Sequence, residues 1–242
     1  MTVVLAKEFN GFLNSLIGYV VIGVFLVAIG LLMWVFPETS VLEFGYADMD
    51  PLFRLGPYVF VFLIPAITMR SFAEEKKGGT IELLLTKPLT DWQIILGKFF
   101  ASLLLVVVAL VPTVIYYFSL YTLGNPAGNI DTPGVIGSYV GLLLLASVFC
   151  ATGIMASSLT SSQIVAFIVA AFLCFIIFTG FESLSMIAGS GSVALTIKQL
   201  GILYHYDSLS KGLIDSRDVI YFLTVIFLML LITRIIVGSR SW

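Results

Sequence analysis

The chain holds one histidine, His205, with Asp207 two residues on and Ser208 and Ser210 just beyond. An imidazole among carboxylates and hydroxyls has the residue types of a general base and its nucleophile. The frames that usually hold such chemistry are missing, since the sequence contains neither Gly-x-Ser-x-Gly nor His-Glu-x-x-His. Tyr204 and Tyr206 flank the histidine, a setting that better suits an interfacial loop residue than a catalytic base. Cys150 and Cys174 sit inside apolar runs and read as small buried hydrophobes, not as a disulfide or metal ligands. Nucleotide chemistry needs Gly-x-x-x-x-Gly-Lys-[Ser/Thr], and the nearest approach fails twice. Gly97-Lys98 has Trp92 where the first glycine belongs and Phe99 where the hydroxyl belongs. This chain is not expected to bind ATP through a P-loop.

What remains is a docking chemistry. Between Arg70 and Lys98 the chain concentrates 9 of its 26 charged residues in 29 positions. Gly78-Gly79 interrupts any helix entering the segment, because glycine is a poor helix former and tolerates positive φ. Thr80 then suits an N-cap, and Glu82 sits in the first turn where the helix dipole favours negative charge. Ile81, Leu83, Leu84 and Leu85 form a short apolar stripe that Pro88 ends. Thr90 and Gln93 have the spacing of a capping box, with Asp91 opening the next helix. The pattern is an elbow, a short helix lying between two breaks. On physical grounds it serves equally as an interfacial anchor or as a helix that docks on a partner.

The elements around this elbow are built for lipid. Hydrophobic residues make up 60% of the 242 and charged residues 11%, against about 45–50% and about 25% in soluble domains. A net charge of −2 gives no nucleic-acid footprint. A crossing helix needs roughly 20 apolar residues, and six runs qualify, at about 16–36, 55–72, 99–123, 135–157, 164–181 and 219–237. The first is too long for a signal peptide and reads as a retained span. Residues 132–181 run 50 positions without a charge. As helix that is about 75 Å, too long for one crossing, so the serines and threonines around Ser157–Ser162 mark a turn. Gly137 and Gly141 have the spacing of a helix-packing motif, which serves contacts within the chain as well as between chains. The expected fold is a single all-α transmembrane domain, residues 1–242. With both termini inside, eight basic residues face the cytoplasm and four (Arg54, Lys198, Lys211 and Arg217) face out.

Residues 182–218 are too polar for a full crossing. Two apolar pieces, 184–188 and 193–197, flank Gly189-Ser190-Gly191-Ser192. They suit a re-entrant hairpin in the outer leaflet, with an amphipathic surface hairpin as the alternative.

The string P-A-x-T-M-R-S-F-A-E-E-K-K-x-G-T-x-E-L-L-L-T-x-P-x-x-x-x-x-I-x-x-G-K, from Pro65 to Lys98, resembles the first cytoplasmic loop of ABC type 2 (ABC-2) transporter permeases. The six-run hydropathy and the H-Y-D-S-L-S-K-G-L-I-D-S-R-D stretch from His205 extend the likeness over most of the chain. Within the family it is most similar to the gliding-motility-associated permease subunit of Bacteroidetes bacteria. The resemblance implies a multi-pass subunit of a bacterial inner-membrane exporter, paired with a second permease copy or a related permease. It implies a separate ABC ATPase subunit that carries ATP and Mg, with no cofactor on this chain. Glu74, Glu75, Gly79, Thr80, Glu82, Leu83, Leu84, Leu85 and Pro88 would form the ATPase-coupling elbow. An intramembrane enzyme centred on His205, or a scaffold without transport, are the other classes.

Overall fold

The computed structural model describes residues 1–43, 47–80, 89–189 and 191–239. Its helices are α1 (Thr2–Leu13), α2 (Leu16–Trp34), α3 (Asp50–Thr68), α4 (Arg70–Lys77), α5 (Asp91–Leu110), α6 (Val114–Leu123), α7 (Thr132–Leu159), α8 (Gln163–Phe175), α9 (Phe181–Ile187), α10 (Ser192–Gln199), α11 (Ile202–Ser210) and α12 (Ser216–Gly238). Among the described residues there is no strand, and six helical stretches are long and apolar enough to cross a membrane. They are Leu16–Trp34, Asp50–Lys77, Asp91–Leu123, Thr132–Leu159, Gln163–Ile187 and Ser216–Gly238. Several outrun their apolar cores because polar caps extend them. Asp131 accepts from the Gly134 N–H at 3.2 Å at the head of α7, and Asp215 accepts from Arg217 at 3.0 Å at the head of α12.

The core is organised around α7, with 83% of its apolar window inside the fold against 22% for α12. It packs on α3, α8, α11 and α12. Small residues let its neighbours approach. A Cβ on Gly153 would stand 2.0 Å from Thr68 Oγ1, and one on Gly141 would stand 2.6 Å from Leu209 Cβ. A Cβ on Gly137 would meet the Gly212 carbonyl oxygen at 2.5 Å. Gly137 and Gly141 are thus spent on α11 and the turn after it, within one chain.

Prolines shape the spans by leaving carbonyls without donors. Pro57 has no N–H for the Phe53 carbonyl one turn back, and the Tyr206 hydroxyl supplies the missing donor at 2.6 Å. This bond ties α11 to the head of α3. Around Pro112 the third long helix tightens into a 3₁₀ turn, Val111–Thr113, before α6. The fifth long helix carries a π-helical turn, Ile176–Gly180, that places Phe178 in the core beside Tyr58, Phe149 and Tyr206.

That π turn changes the reading of the hairpin. Its first arm is not a separate piece dipping from solvent; α9 continues α8 through the π turn as the end of the fifth long helix. Only α10 folds back along it, after Gly189 at φ +80°. Ser190, expected at the tip, lies outside the described residues.

Candidate functional site: the charged elbow

The second long helix breaks between α3 and α4. The α3 ladder ends at Met69, and the Phe72 and Ala73 N–H groups bond instead to Ser157 Oγ of α7, at 3.0 and 3.1 Å. The same hydroxyl donates to the Met69 carbonyl at 3.0 Å. One buried serine therefore accommodates the break and fastens α4 to the core. Lys76 reaches the Ser158 carbonyl. On the exposed side, Arg70 grips Glu74 one turn on with two bonds of 2.7 and 3.0 Å.

Glycine ends α4 as its backbone chemistry requires. Gly79 adopts φ +66°, its N–H bonds to the Lys76 carbonyl at 3.3 Å, and the Thr80 N–H bonds to the Glu75 carbonyl at 3.0 Å. These two bonds make a Schellman closure. Residues 81–88 lie outside the described residues, and with them Glu82, Leu83, Leu84, Leu85 and Pro88. The chain returns at Leu89. Thr90 caps α5 reciprocally: its Oγ1 accepts from the Gln93 N–H at 3.4 Å, while Gln93 Oε1 accepts from the Thr90 N–H at 3.1 Å. The Trp92 ring stacks on Phe227 at 6.2 Å and lies 5.4 Å from the Arg234 guanidinium. The return limb is thereby held against α12.

The return limb carries a lysine in the protein interior. Lys98, on the second turn of α5, is 1% exposed. Its Nζ lies 2.9 Å from Glu8 Oε1 on α1 and 3.0 Å from Glu75 Oε2 on α4. It also donates to the Ser71 carbonyl at 2.6 Å and sits 5.1 Å from the Phe72 ring centre. The Glu75 oxygen is near enough for an ion pair but not aligned for a hydrogen bond, so charge alone holds it. Lys7 adds an exposed cation 3.3 Å from Glu75 and 3.7 Å from Glu8. Burial opposes its charge, yet the two carboxylates hold the Lys7 ammonium above the usual lysine range. Two cations and two anions thus cancel around one buried ammonium, which is the condition for keeping it charged.

This cluster joins three elements that meet nowhere in the sequence. The helix α1 lies along α5 because Gly97 presents no side chain, and a Cβ there would come within 2.9 Å of Val4. The structure brings Glu75 into the cluster, while Glu74 faces Arg70. Sequence reasoning passed over α1, Glu8 and the interior position of Lys98. The signal was a charged Lys7-Glu8 pair within a helix-length stretch ahead of the first span.

The other chemical candidate comes apart. His205 Nδ1 lies 2.7 Å from Asp218 Oδ1, its Nε2 lies 3.0 Å from the Gln199 carbonyl, and its ring stacks on Tyr221 at 4.0 Å. Asp207 instead pairs with Lys211 at 2.8 Å, since residues two apart on a helix face different ways. Ser210 donates to the Asp207 carbonyl at 3.0 Å. Both imidazole nitrogens are engaged in joining α10, α11 and α12. No group of His, Cys, Asp and Glu suited to a metal ion occurs among the described residues.

No curated protein matches the chain. The family model for ABC-2 family transporter proteins matches residues 50–238, from the first residue of α3 to the last of α12. A bundle with six helices long and apolar enough to cross a membrane thus carries that family's sequence pattern over most of its length, and the chain belongs to the ABC-2 family of transporter proteins.

Proposed function

We propose that this chain is the permease subunit of an ATP-driven exporter and that its elbow takes up motion from a separate ATPase subunit. The observation that carries the reading is the Lys98 cluster. A segment that must transmit force needs a stiff mounting, and α4 and α5, which flank the loop in sequence, meet α1 on one buried ammonium. Force on residues 81–88 would reach α4 through the Gly79 closure and α5 through the Thr90 cap. From α4 it would pass to α7 through Ser157 and Lys76. The central helix is then the lever of the bundle, because it touches most of the other spans.

In this reading both termini and the elbow are cytoplasmic, the α9–α10 hairpin is external, and the membrane is the bacterial inner membrane. Two permease subunits, identical or related, enclose a path that ATP-driven closure of their ATPases switches between inward and outward states. ATP and Mg belong to that partner. The likeness of the loop to the gliding-motility-associated permease makes surface motility the process proposed. Co-purification from native membranes tests the assembly: the full chain should bring down a P-loop ATPase in near-equal amount. Recovery of the chain without one, under conditions that keep its fold, would count against the reading.

A further inference from the structure

A neutral imidazole carries one N–H and one lone pair, whereas its protonated form carries two N–H groups. Both ring nitrogens of His205 face acceptors: the Asp218 carboxylate 2.7 Å from Nδ1 and the Gln199 carbonyl 3.0 Å from Nε2. The imidazolium satisfies both at once, and the neutral ring satisfies one. The surroundings favour the charged pair. Asp218 sits in the first turn of α12, where the helix dipole stabilises a carboxylate, and Gln199 is the last residue of α10, where the dipole stabilises a cation. The Tyr221 ring stacks on the imidazole at 4.0 Å and presents its face to the charge. The His205 and Asp218 side chains are 15% and 10% exposed, so little water reaches either to replace a lost partner.

What these bonds hold is the return arm of the hairpin. The helix α10 buries none of its residues. Two donors from outside it fasten its end: His205 Nε2 to the Gln199 carbonyl, and the Tyr221 hydroxyl to the Leu200 carbonyl at 2.7 Å. Loss of one proton from the imidazolium removes the first. A carboxylate is the stronger acceptor, so Nδ1 keeps its proton and Nε2 is left with a lone pair against the Gln199 carbonyl. The other charged groups around α11 are engaged elsewhere. Lys198 of α10 pairs with Glu182 of α9, and Asp207 pairs with Lys211. These four, with Asp50, Arg54 and Tyr58 of α3, line a cavity of about 630 Å³ that His205 does not border. Asp215 and Arg217 at the head of α12 are exposed. The π turn carries no titratable group, and α7 brings Tyr139, bonded to Thr113, and the buried Cys150. On α11 itself Tyr206 is bonded to the Phe53 carbonyl, and Tyr204 meets the imidazole edge-on at 5.4 Å. We propose that His205 is an acid-dependent latch, holding α10 to α12 as an imidazolium and releasing it on deprotonation. Its contacts lie within one chain, so it stands apart from ATPase coupling; only the side of the membrane on which it senses acid rests on the proposed topology.

Site-directed spin labelling of the purified full chain in detergent tests it. Cys150 and Cys174 are buried and Leu195 of α10 is exposed, so a nitroxide on Leu195→Cys reports that arm alone. Between about pH 5 and about pH 8, where histidine ordinarily changes charge, the ratio of mobile to immobilised spectrum in the labelled parent should rise about tenfold, the loss of one charge-assisted bond. His205→Gln in the labelled chain should show no step. Asp218→Asn should also lose the step but stay immobilised throughout, because an amide can donate to a neutral Nδ1 and leave the Nε2 proton on the Gln199 carbonyl. A pair that served structure alone would instead loosen the arm when Asp218 loses its charge. Isotope labelling of the one histidine, read by nitrogen NMR, follows the same event with no change at His205 or Asp218: Nε2 should lose its proton over the pH interval in which the label is released. An unchanged parent spectrum between the two pH values would overturn the latch, as would a step of parent size in His205→Gln. So would a mobile arm in Asp218→Asn at the higher pH, or proton loss from Nδ1 in place of Nε2.

Discussion

Replacing Lys98 by methionine keeps most of the volume of the side chain and removes its charge. The structure sets the cost. Glu8 and Glu75 have side chains 17% and 13% exposed and, among the described residues, would keep only Lys7, which is 63% exposed, as an ion-pair partner. The Ser71 carbonyl would lose its donor as well. Breaking a buried pair by removing one partner costs about 3–5 kcal/mol, because the surviving charge stays buried. For a chain of this size about 1 kcal/mol corresponds to about 2–4 °C in Tm, so a loss on the order of 10 °C is expected in detergent. The triple variant Glu8→Gln, Glu75→Gln, Lys98→Met removes the stranded charges too and should recover much of that loss, since an ion cluster replaced by neutral groups of similar shape is often close to neutral. Thermal unfolding of the purified full chain, followed by circular dichroism, reads both. Single and triple variants within about 2 °C of the parent would refute the claim that Lys98 is charged and clamps α1, α4 and α5.

Other outcomes follow from single contacts. Tyr206→Phe leaves the Phe53 carbonyl, already deprived of a donor by Pro57, without a partner; thermal unfolding should show a loss of about 1–3 kcal/mol. Gly153→Ala forces a methyl against Thr68 and should cost about 1–3 kcal/mol, with Gly153→Ala combined with Thr68→Ala recovering part of it. In the hairpin, Gly189 has φ +80° and Gly191 the extended φ of 168°. Gly189→Val should therefore lower stability by about 1–3 kcal/mol, whereas Gly191→Val should be tolerated, read by the same melting experiment.

The run lengths made the bundle legible because a bilayer imposes a length that composition alone can meet. The Gly78-Gly79 stop and the Thr90–Gln93 cap were legible for a related reason: each is complete within a few residues, and their backbone bonds follow from local chemistry. What was hidden depends on pairs distant in sequence. Nothing near Lys98 announces that Glu8, 90 residues earlier, is its partner, and nothing near Pro57 names Tyr206 as the donor for the carbonyl it orphans. The helix α1 escaped notice because it is neither apolar enough for a span nor polar enough to stand out as a tail. The sequence favoured an interfacial role for His205 but could not name its partner, for a geometric reason: Asp207 is close in sequence but turned away, and Asp218 reaches the imidazole from another helix. The first arm of the hairpin looked separate because Glu182 ends the charge-free run, although the backbone continues through the π turn as one helix.

The central claim is that the elbow is a lever and not an anchor. The most direct measurement uses Glu82→Lys in the full permease assembled with its ATPase in proteoliposomes, recording ATP hydrolysis and export side by side. The substitution places a positive charge in the first turn of the expected loop helix, where the helix dipole opposes it, and leaves the Lys98 cluster intact. The account predicts normal insertion and continuing hydrolysis with export reduced at least tenfold. Export in step with hydrolysis at the parent's level would contradict it and leave the elbow as a membrane anchor.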